Sequence, residues 1–299
     1  MKKNALIALS MIMLSVFSMT FTSCGDDDDD DPVLVTPKYA ENAVRYQING
    51  TSEFSSIEFT EDGMYVITKA EESSKAKGLG NFLENKTVSR LTRSSFGDSD
   101  MYIHGKYTKN GDVYTLEGFG TVTVEKDGDV NVSLKIQPTG KEAYTLSAQS
   151  VKKYENSDIT NKLCRTWKFE KGRLVVKKGD SVILDTISTK TSVLLTCLDS
   201  VYHETPDSYD DGAIAVFTKS GSYIVGNTNN TMSVAQWKWK DDNKGTIYYT
   251  WNYGKFDEEN VIEVSFDKNN NLVVVEECED TYKGEKYTEK YIFNFSETE

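Results

Sequence analysis

Several short segments of this chain alternate apolar and polar residues with a period of two, and this pattern constrains the fold more than any other feature. The alternation is clear over residues 130–136, 261–266 and 287–295. A period of two is typical of a β-strand that packs one face on a core and turns the other to water. Loops rich in Gly, Asn and Asp at 126–129 and 267–271 predict hairpins between neighbouring strands. We therefore expect an all-β fold of antiparallel strands.

An internal repeat indicates how these strands are organised. Residues 57–67 and 215–225 share the pattern Phe-Thr-x-x-Gly-x-Tyr followed by two aliphatic residues. Further along, residues 105–107 precede a turn and a strand, much as residues 236–239 do. The matching order predicts two tandem antiparallel meander domains of related topology, at 38–153 and 159–299. Chance similarity between two hairpins is the alternative.

The first 23 residues contain the three parts of a secretory signal peptide. Lys2 and Lys3 are positively charged, residues 5–21 are apolar and uncharged, and small residues surround Cys24. That order predicts a signal peptide over 1–23. An uncleaved membrane helix is the alternative, although the apolar stretch is near the short limit for spanning a bilayer.

The residues that end this segment, Phe-Thr-Ser-Cys at 21–24, resemble the bacterial lipobox, with Phe21 where that pattern usually has Leu. The chain is similar in this respect to Bacteroidetes lipoproteins. The resemblance implies that Cys24 is lipidated and that the lipid anchors the protein to a membrane. Two or more acyl chains give stable anchoring, whereas one chain is marginal.

Six consecutive aspartates at 26–31 dominate the segment 24–37, which we interpret as an acidic linker. A block of like charge cannot pack, so a solvated tether is the simplest interpretation. Acidic residues just after the lipidated cysteine also resemble the export signal of Bacteroidetes lipoproteins, which implies an outer-membrane protein exposed on the cell surface. Calcium binding by the tract is a weaker alternative, because carboxylates without a structured loop lack fixed geometry.

The charge of the chain limits its partners. The formal net charge is −13, and removal of Lys2 and Lys3 leaves 32 of the 34 basic residues against 47 acidic ones, or −15. Phosphate backbones repel such a chain, so nucleic acid is not expected as a partner.

Three motifs follow one another in the second domain. They are Leu-Cys-Arg-Thr-Trp-Lys at 163–168, the Phe-Thr-x-x-Gly-x-Tyr hairpin at 217–223, and Trp-Lys-Trp at 237–239. This order resembles the lipocalin-like domains of Bacteroidetes lipoproteins over 163–295. The resemblance implies an up-and-down barrel or half-barrel in which an interior cavity can form, and it implies no single function. The first domain shares only the hairpin.

The chain has few residues that indicate chemistry. It contains no Gly-x-Ser-x-Gly, no phosphate-binding Gly-x-x-x-x-Gly-Lys and no His-Glu-x-x-His. We interpret its two histidines, His104 and His203, as structural, and we predict no catalytic residue, metal site or cofactor. Two of Cys164, Cys197 and Cys278 could form a disulfide in an oxidising compartment, or all three could be thiols.

Aromatic residues supply the one candidate ligand site. Trp237 and Trp239 lie two apart and therefore share one face of a strand, as do Tyr249 and Trp251. These four could stack against sugar rings or line an apolar pocket. A barrel core is the plainer interpretation of the same pattern. The long segment 71–100 between two strands has no assigned role.

We expect the protein to be a non-catalytic binding module on the cell surface, with an unknown small molecule, glycan, lipid or protein as its ligand. An accessory structural subunit of an outer-membrane complex is the first alternative. The second is a hydrolase that uses two carboxylates in one cleft, about 5–10 Å apart.

Overall fold

The structure is a computed structural model and describes residues 36–50, 52–70, 101–204, 209–250, 256 and 260–298. The predicted signal peptide, Cys24, most of the acidic linker, the 71–100 segment and Trp251 lie outside the described residues. Within those ranges, no helix is long and apolar enough to cross a bilayer.

The first eight strands close into an antiparallel barrel. Each strand pairs with its neighbours in sequence, and β1 pairs with β8 to complete the ring. The strands are β1 (Val44–Ile48), β2 (Phe54–Phe59), β3 (Met64–Lys69), β4 (Tyr102–Asn110), β5 (Val113–Leu116), β6 (Gly120–Asp127), β7 (Asn131–Pro138) and β8 (Tyr144–Ser150). Alternate residues point inward, so that Val132, Leu134 and Ile136 of β7 join one apolar core.

The second half of the chain forms another closed barrel of eight strands. Its elements are α1 (Asp158–Leu163), β9 (Thr166–Lys178), β10 (Ser181–Ser188), α2 (Thr191–Val201), β11 (Gly212–Phe217), β12 (Ser222–Asn227), β13 (Met232–Asp241), β14 (Thr246–Thr250), β15 (Val261–Phe266), β16 (Leu272–Tyr282) and β17 (Glu285–Glu297). Strands β9 and β11–β17 form the ring, which the β17–β9 pairing closes. The prediction of an all-β fold with two tandem antiparallel meander barrels is confirmed.

Strand β10 and helix α2 are inserted into the second meander. The start of β9, at 166–168, pairs with β11, whereas 172–178 pairs with β10. Helix α2 then packs against β9 and β10 and buries Leu194, Leu195 and Leu198. The helix approaches closely because residue 172 is glycine: a Cβ there would lie 2.6 Å from Cδ1 of Leu194. Strand β10 and helix α2 therefore lie beside the part of β9, at 172–178, that no longer pairs with β11.

The repeated sequence motif forms the same hairpin in both barrels, β2–β3 and β11–β12. In each turn the threonine hydroxyl (Thr60 or Thr218) accepts the amide hydrogen of the residue four positions later, at 3.0 Å. Gly63 and Gly221 adopt φ values of 82° and 83°, which favour glycine over residues with a side chain. The two segments are therefore alike in hydrogen bonding as well as in sequence.

The correspondence extends to the next strand. The amides of Tyr107 and Trp237 donate to the carbonyl of the hairpin glycine, at 2.9 and 2.8 Å. Their side chains, through the Tyr107 hydroxyl and the Trp237 indole, each donate to the carbonyl of the hairpin threonine at 3.1 Å. Tyr107 and Trp237 are thus equivalent residues, as the order of motifs predicted.

A tyrosine also precedes each barrel in an equivalent place. The amide of Tyr39 donates to the carbonyl of Glu61 at 2.9 Å, and the amide of Tyr154 donates to that of Lys219 at 2.8 Å. Their rings lie 5.3 Å from Tyr107 and 4.7 Å from Trp237. The equivalence makes the two barrels structural repeats of one another.

The two repeated hairpins pack against each other and join the barrels. Their inward faces belong to the barrel cores, while their outward faces form a third apolar cluster. Val66, Val216 and Ile224 of the hairpins are buried in this cluster, together with Met232 and Val234 of β13. Both faces of β3, β11 and β12 are therefore buried, which explains why these strands are apolar at successive positions.

Polar contacts across this interface follow the repeat. Arg45 of β1 donates to the hydroxyl of Ser222 in the second hairpin at 2.9 Å. The amide of Thr166 in β9 donates to the carboxylate of Asp62 in the first hairpin. Arg45 and Thr166 occupy equivalent positions of their barrels, so the first strand of each barrel contacts the hairpin of the other.

We predict that truncation of one residue in this interface destabilises the whole unit. Ile224 is fully buried there, and Ile224→Ala should lower the free energy of unfolding by about 2–5 kcal/mol, because it leaves a cavity. Ile187→Ala on β10, where the side chain is 66% exposed, is the matched control and should change it by less than about 0.5 kcal/mol. Urea denaturation of the full chain measures the free energy of unfolding of both variants. An equal loss of stability in the two would contradict the burial of Ile224 at the interface.

Candidate functional site

Apolar side chains pack against one another inside both barrels, where a barrel ligand would otherwise lie. The second barrel has an apolar cavity of about 40 Å³ near the start of β11, beside Phe169, Tyr223 and Phe293. Small-molecule sites usually measure roughly 300–1,000 Å³. This cavity has room for a few water molecules at most.

The structure brings three of the four candidate aromatic residues together inside the second barrel. Trp237 and Tyr249 are paired across β13 and β14 and are 1% and 0% exposed. The Trp237 and Trp239 rings meet edge to face at 5.3 Å. The Trp239 indole donates to the hydroxyl of Thr160 in α1 at 3.0 Å, so this half-buried residue fastens the helix to the barrel.

These contacts correspond to the core interpretation of the aromatic pattern. Trp237 and Tyr249 have no face open to a sugar ring, and their polar atoms are engaged: the Tyr249 hydroxyl donates to Glu276 at 2.6 Å. Trp251, the fourth candidate, lies outside the described residues.

A larger, polar cavity of about 390 Å³ lies where the two barrels meet. We call it the inter-barrel crevice. The N-terminal segment at 36–40, the turns of both repeated hairpins and helix α1 surround it. Its polar lining consists of Thr36, Glu61, Asn156, Asp158, Asn161, Arg165 and Lys219. Its volume lies within the range of small-molecule sites.

Glu61 is the most deeply buried carboxyl group of this crevice, at 2% exposure. Its Oε1 accepts the Lys219 amide hydrogen at 3.0 Å, while Oε2 is buried and has no hydrogen-bond partner among the described residues. Burial raises the pKa of Glu61 from its ordinary 4.5 to about 7, and the charge of Glu58 adds to the rise. The backbone amides of Lys219 and of Glu61 itself lower this pKa, as does the charge of Lys153.

Lys219 occupies the position in the second hairpin that Glu61 occupies in the first. Its ammonium group donates to Oδ1 of Asn156 and to Oδ1 of Asn161, both at 2.7 Å. The repeat therefore places residues of opposite charge at its two equivalent turns, and the turns meet at the crevice.

Arg165, at the junction of α1 and β9, supplies the second buried charge. Its side chain is 4% exposed and pairs with Glu297 at the end of β17. Its Nε is buried and, within the described part of the chain, lacks an acceptor. Beside it, burial raises the pKa of the Cys164 thiol, and no disulfide links the three cysteines at 164, 197 and 278.

Glu58 is a buried carboxylate that needs a hydrogen-bond partner where the two hairpins meet. This carboxylate faces outward from β2, is 3% exposed, and accepts the Thr218 hydroxyl at 2.7 Å. A buried carboxylate without such a partner would be costly. The pairing therefore aligns the hairpins in one register.

Two further carboxylates lie inside the second barrel, which bears on the hydrolase alternative. Glu276 accepts the hydroxyl of Tyr249, and Glu289 accepts those of Tyr202 at 2.5 Å and Tyr291 at 2.7 Å. Glu276 and Glu289 are 4% and 3% exposed and lie among apolar core residues. Their tyrosine partners match a buried hydrogen-bond network rather than a substrate cleft.

The histidines do not join any of these groups. Nε2 of His104 lies 3.2 Å from the carbonyl oxygen of Asn230 in the other barrel, so His104 takes part in the interface. His203 has a φ of 54° just after α2. In the described ranges, no cluster of three or more His, Cys, Asp or Glu residues could hold a metal ion.

Comparison with known proteins gives no assignment. No family model matches the chain, and neither the curated proteins nor the solved structures include a match to it.

No sequence motif predicted the crevice, although one signal for it is present in the repeat. Within the repeated motif, Glu61 and Lys219 differ in charge while the residues around them are similar. A charge reversal at equivalent turns indicates that the turns could contact one another. The burial of Arg165 has no such signal, because it depends on how α1 packs.

We predict that Glu61 makes stability depend on pH. The folded protein holds this proton up to about pH 7, whereas the unfolded chain loses it near 4.5, so stability from this group falls as pH rises between these values. The change is on the order of 3 kcal/mol. Glu61→Gln should unfold like wild type below pH 5 and be more stable above pH 7, in denaturation at each pH.

The matched control is Glu142→Gln, which makes the same change at an exposed turn. It should leave the pH profile unaltered. A difference between wild type and Glu61→Gln that stays constant from pH 5 to pH 8 would contradict the prediction.

Proposed function

We propose that this protein is a non-catalytic binding module, held on the outer face of the outer membrane by lipid on Cys24, and that its ligand occupies the inter-barrel crevice. One observation carries the binding site. The polar side chains of Glu61, Arg165 and Lys219 line a cavity of about 390 Å³, and this volume lies within the range of small-molecule sites.

The geometry of the barrels supports this location over the barrel interiors. The 40 Å³ cavity of the second barrel is about a tenth of the crevice volume and is apolar. A polar ligand could not replace the hydrogen bonds it makes with water there.

An exposed apolar patch supports the alternative role as a structural subunit. Val182, Ile183 and Ile187 of β10 are 45–66% exposed, and Val193 of α2 is 43% exposed. In the described residues β10 pairs only with β9, so one edge of this strand is open to a partner. Co-purification of a stoichiometric protein that Ile187→Asp releases would favour this alternative.

We predict that Cys24→Ala abolishes membrane attachment. In a bacterium that processes lipoproteins, the wild-type protein should incorporate labelled palmitate and sediment with outer membranes, because acyl chains hold it there. The variant should do neither. Cys197→Ala, which removes a thiol from α2, is the control and should retain the label. A labelled Cys24→Ala protein would contradict the proposed anchor.

We predict that at least one ligand class stabilises the full-length protein without being converted. Glycans, lipids and peptides are screened by thermal unfolding in a polyoxyethylene detergent, which contains no sugar. A ligand at 100 times its Kd should add about 2.7 kcal/mol to stability. Mass analysis then tests the compound for conversion. The absence of binding by any class, or conversion of the bound compound, would overturn the proposal.

A further inference from the structure

We infer that the inter-barrel crevice binds a compact oxyanion, a small molecule with a carboxylate or phosphate group, through the Lys219 ammonium and the side-chain amides of Asn156 and Asn161. This inference rests on the proposed function and narrows its ligand to one chemical class. Three features of the crevice support it: the hydrogen-bond donors around Lys219, the positive charge beside them, and the small, polar volume that they line.

The Lys219 ammonium lies among residues that line the crevice. It donates to Oδ1 of Asn156 and to Oδ1 of Asn161, both at 2.7 Å, and all three residues belong to the lining. An ammonium group carries three donor hydrogens, so one remains after these two bonds. This third hydrogen has no acceptor within the described ranges. Lys219 therefore has a charged donor available for a ligand.

The two asparagines supply further donors. Because their Oδ1 atoms accept from Lys219, each amide is oriented with its NH₂ group as the remaining polar group. Both asparagines are exposed, and neither NH₂ group donates to the part of the chain that the structure describes. One ammonium and two amides thus form a set of donors. The oxygens of an ionised carboxylate or phosphate only accept hydrogen bonds, so an oxyanion complements this set.

A second ammonium group adds to the positive charge at this place. Lys153 lies in the segment between the barrels, three residues before Asn156. Burial lowers the pKa of Lys153, and although Glu61 opposes this, the charges of Lys219 and Lys109 lower it further. Lys153 and Lys219 therefore repel one another, and an anion beside them would relieve that repulsion.

Neither lysine is paired with a carboxylate of the described residues. No salt bridge there involves Lys153 or Lys219, whereas Lys178 and Lys290 pair with glutamates on neighbouring strands. The chain has 47 acidic residues against 34 basic ones, so its overall charge repels anions. Two neighbouring lysines without a salt bridge therefore distinguish the crevice as a place where an anion can bind.

The other charged groups of the lining leave this positive charge largely in place below pH 7. Arg165 pairs with Glu297, so these two side chains together add no net charge. Glu61 holds its proton up to about pH 7. Asp158, an exposed residue in the first turn of α1, is the lining carboxylate that opposes an anion. Removal of the Asp158 charge should therefore strengthen binding.

The lining argues against a lipid or an aromatic ligand. Its apolar members are Pro37, Ala40 and the thiol of Cys164, which together offer little apolar surface. Apolar ligands need pockets lined mainly by hydrophobic and aromatic side chains. The crevice volume of about 390 Å³ lies near the lower end of the small-molecule range, so the ligand must be compact.

The test is isothermal titration calorimetry of the full-length protein at pH 6, in a polyoxyethylene detergent and a buffer whose only anion is chloride. The probes are three pairs of an oxyanion and its neutral counterpart: acetate and acetamide, glucuronate and glucuronamide, dimethyl phosphate and trimethyl phosphate. We expect at least one oxyanion to bind with a stoichiometry of one. Its neutral counterpart should bind roughly tenfold more weakly or not at all, because it lacks the charge-assisted hydrogen bonds.

The titration of Glu61 should make this binding depend on pH. The groups that act on this carboxyl are Glu58 of its own hairpin, Lys153, the Lys219 turn and the Cys164 thiol at the end of α1. Burial raises the pKa of the Cys164 thiol, which therefore stays uncharged between pH 6 and pH 8. Ionisation of Glu61 near pH 7 adds a negative charge, so affinity for the oxyanion should fall roughly fivefold from pH 6 to pH 8. Glu61→Gln should remove most of this fall.

Charge variants locate the site. Lys219→Gln should weaken the oxyanion roughly tenfold, because hydrogen bonds to charged groups are strong. Asp158→Asn should strengthen it roughly threefold, because it removes an opposing charge. Lys135→Gln, at an exposed position of β7, is the matched control for Lys219→Gln and should bind like wild type. Thermal unfolding checks that each variant is folded, and Asp158→Asn tests the site even if Lys219→Gln does not fold.

Each contrary outcome has a distinct meaning. A neutral counterpart that binds as tightly as its oxyanion would overturn the ligand class and leave the binding function standing, and so would failure of every oxyanion while the wider screen finds a ligand. Oxyanion binding that Lys219→Gln does not weaken, that Asp158→Asn does not strengthen, or that Lys135→Gln weakens equally would overturn the site. Failure of every probe here and in the wider screen would overturn the proposed function itself.

Discussion

The packing of the two repeated hairpins against one another is the interaction on which the rest of the structure depends. Val66 of the first and Ile224 of the second are buried at this contact while their neighbours in sequence fill the barrel cores. A hairpin buried on both faces cannot shift its register without moving apolar residues into water or charges into the core. The hydrogen bond between Thr218 and Glu58 fixes the same register through a polar pair. The barrels are therefore joined through strands whose register is fixed both by the barrel cores and by the interface.

The site arises where the repeat departs from its own symmetry. The hairpins share their threonine and glycine contacts, yet one turn presents Glu61 and the other Lys219. Helix α1 closes the crevice on one side and brings Arg165 with it. A symmetric interface would bring two like residues together, whereas this one brings an acid, a base and a guanidinium to one cavity. Asymmetry at a few positions thus gives a duplicated scaffold a single polar site.

Local patterns predicted much of the fold and little of the site. Alternation at 130–136 and the glycine turns identified strands and hairpins, because those signals depend on neighbours in sequence. The motif shared by Phe59 and Phe217 predicted the tandem repeat. Closure of β17 on β9, the inserted β10 and the burial of Glu61 depend on contacts between distant segments, which no local pattern encodes. The spacing of Trp237 and Trp239 was visible in the sequence, and a barrel core was already its plainer interpretation.

The contact of Tyr39 with the first hairpin has a mechanical consequence. The Tyr39 amide is bonded to the carbonyl of Glu61, and its ring lies so near Gly63 that a Cβ there would be 2.6 Å from it. Any tension on the N-terminal segment reaches this residue before it reaches β1. The load therefore passes directly into the turn that carries Glu61. If lipid on Cys24 anchors the protein as we propose, pulling on the tether would strain one wall of the crevice first.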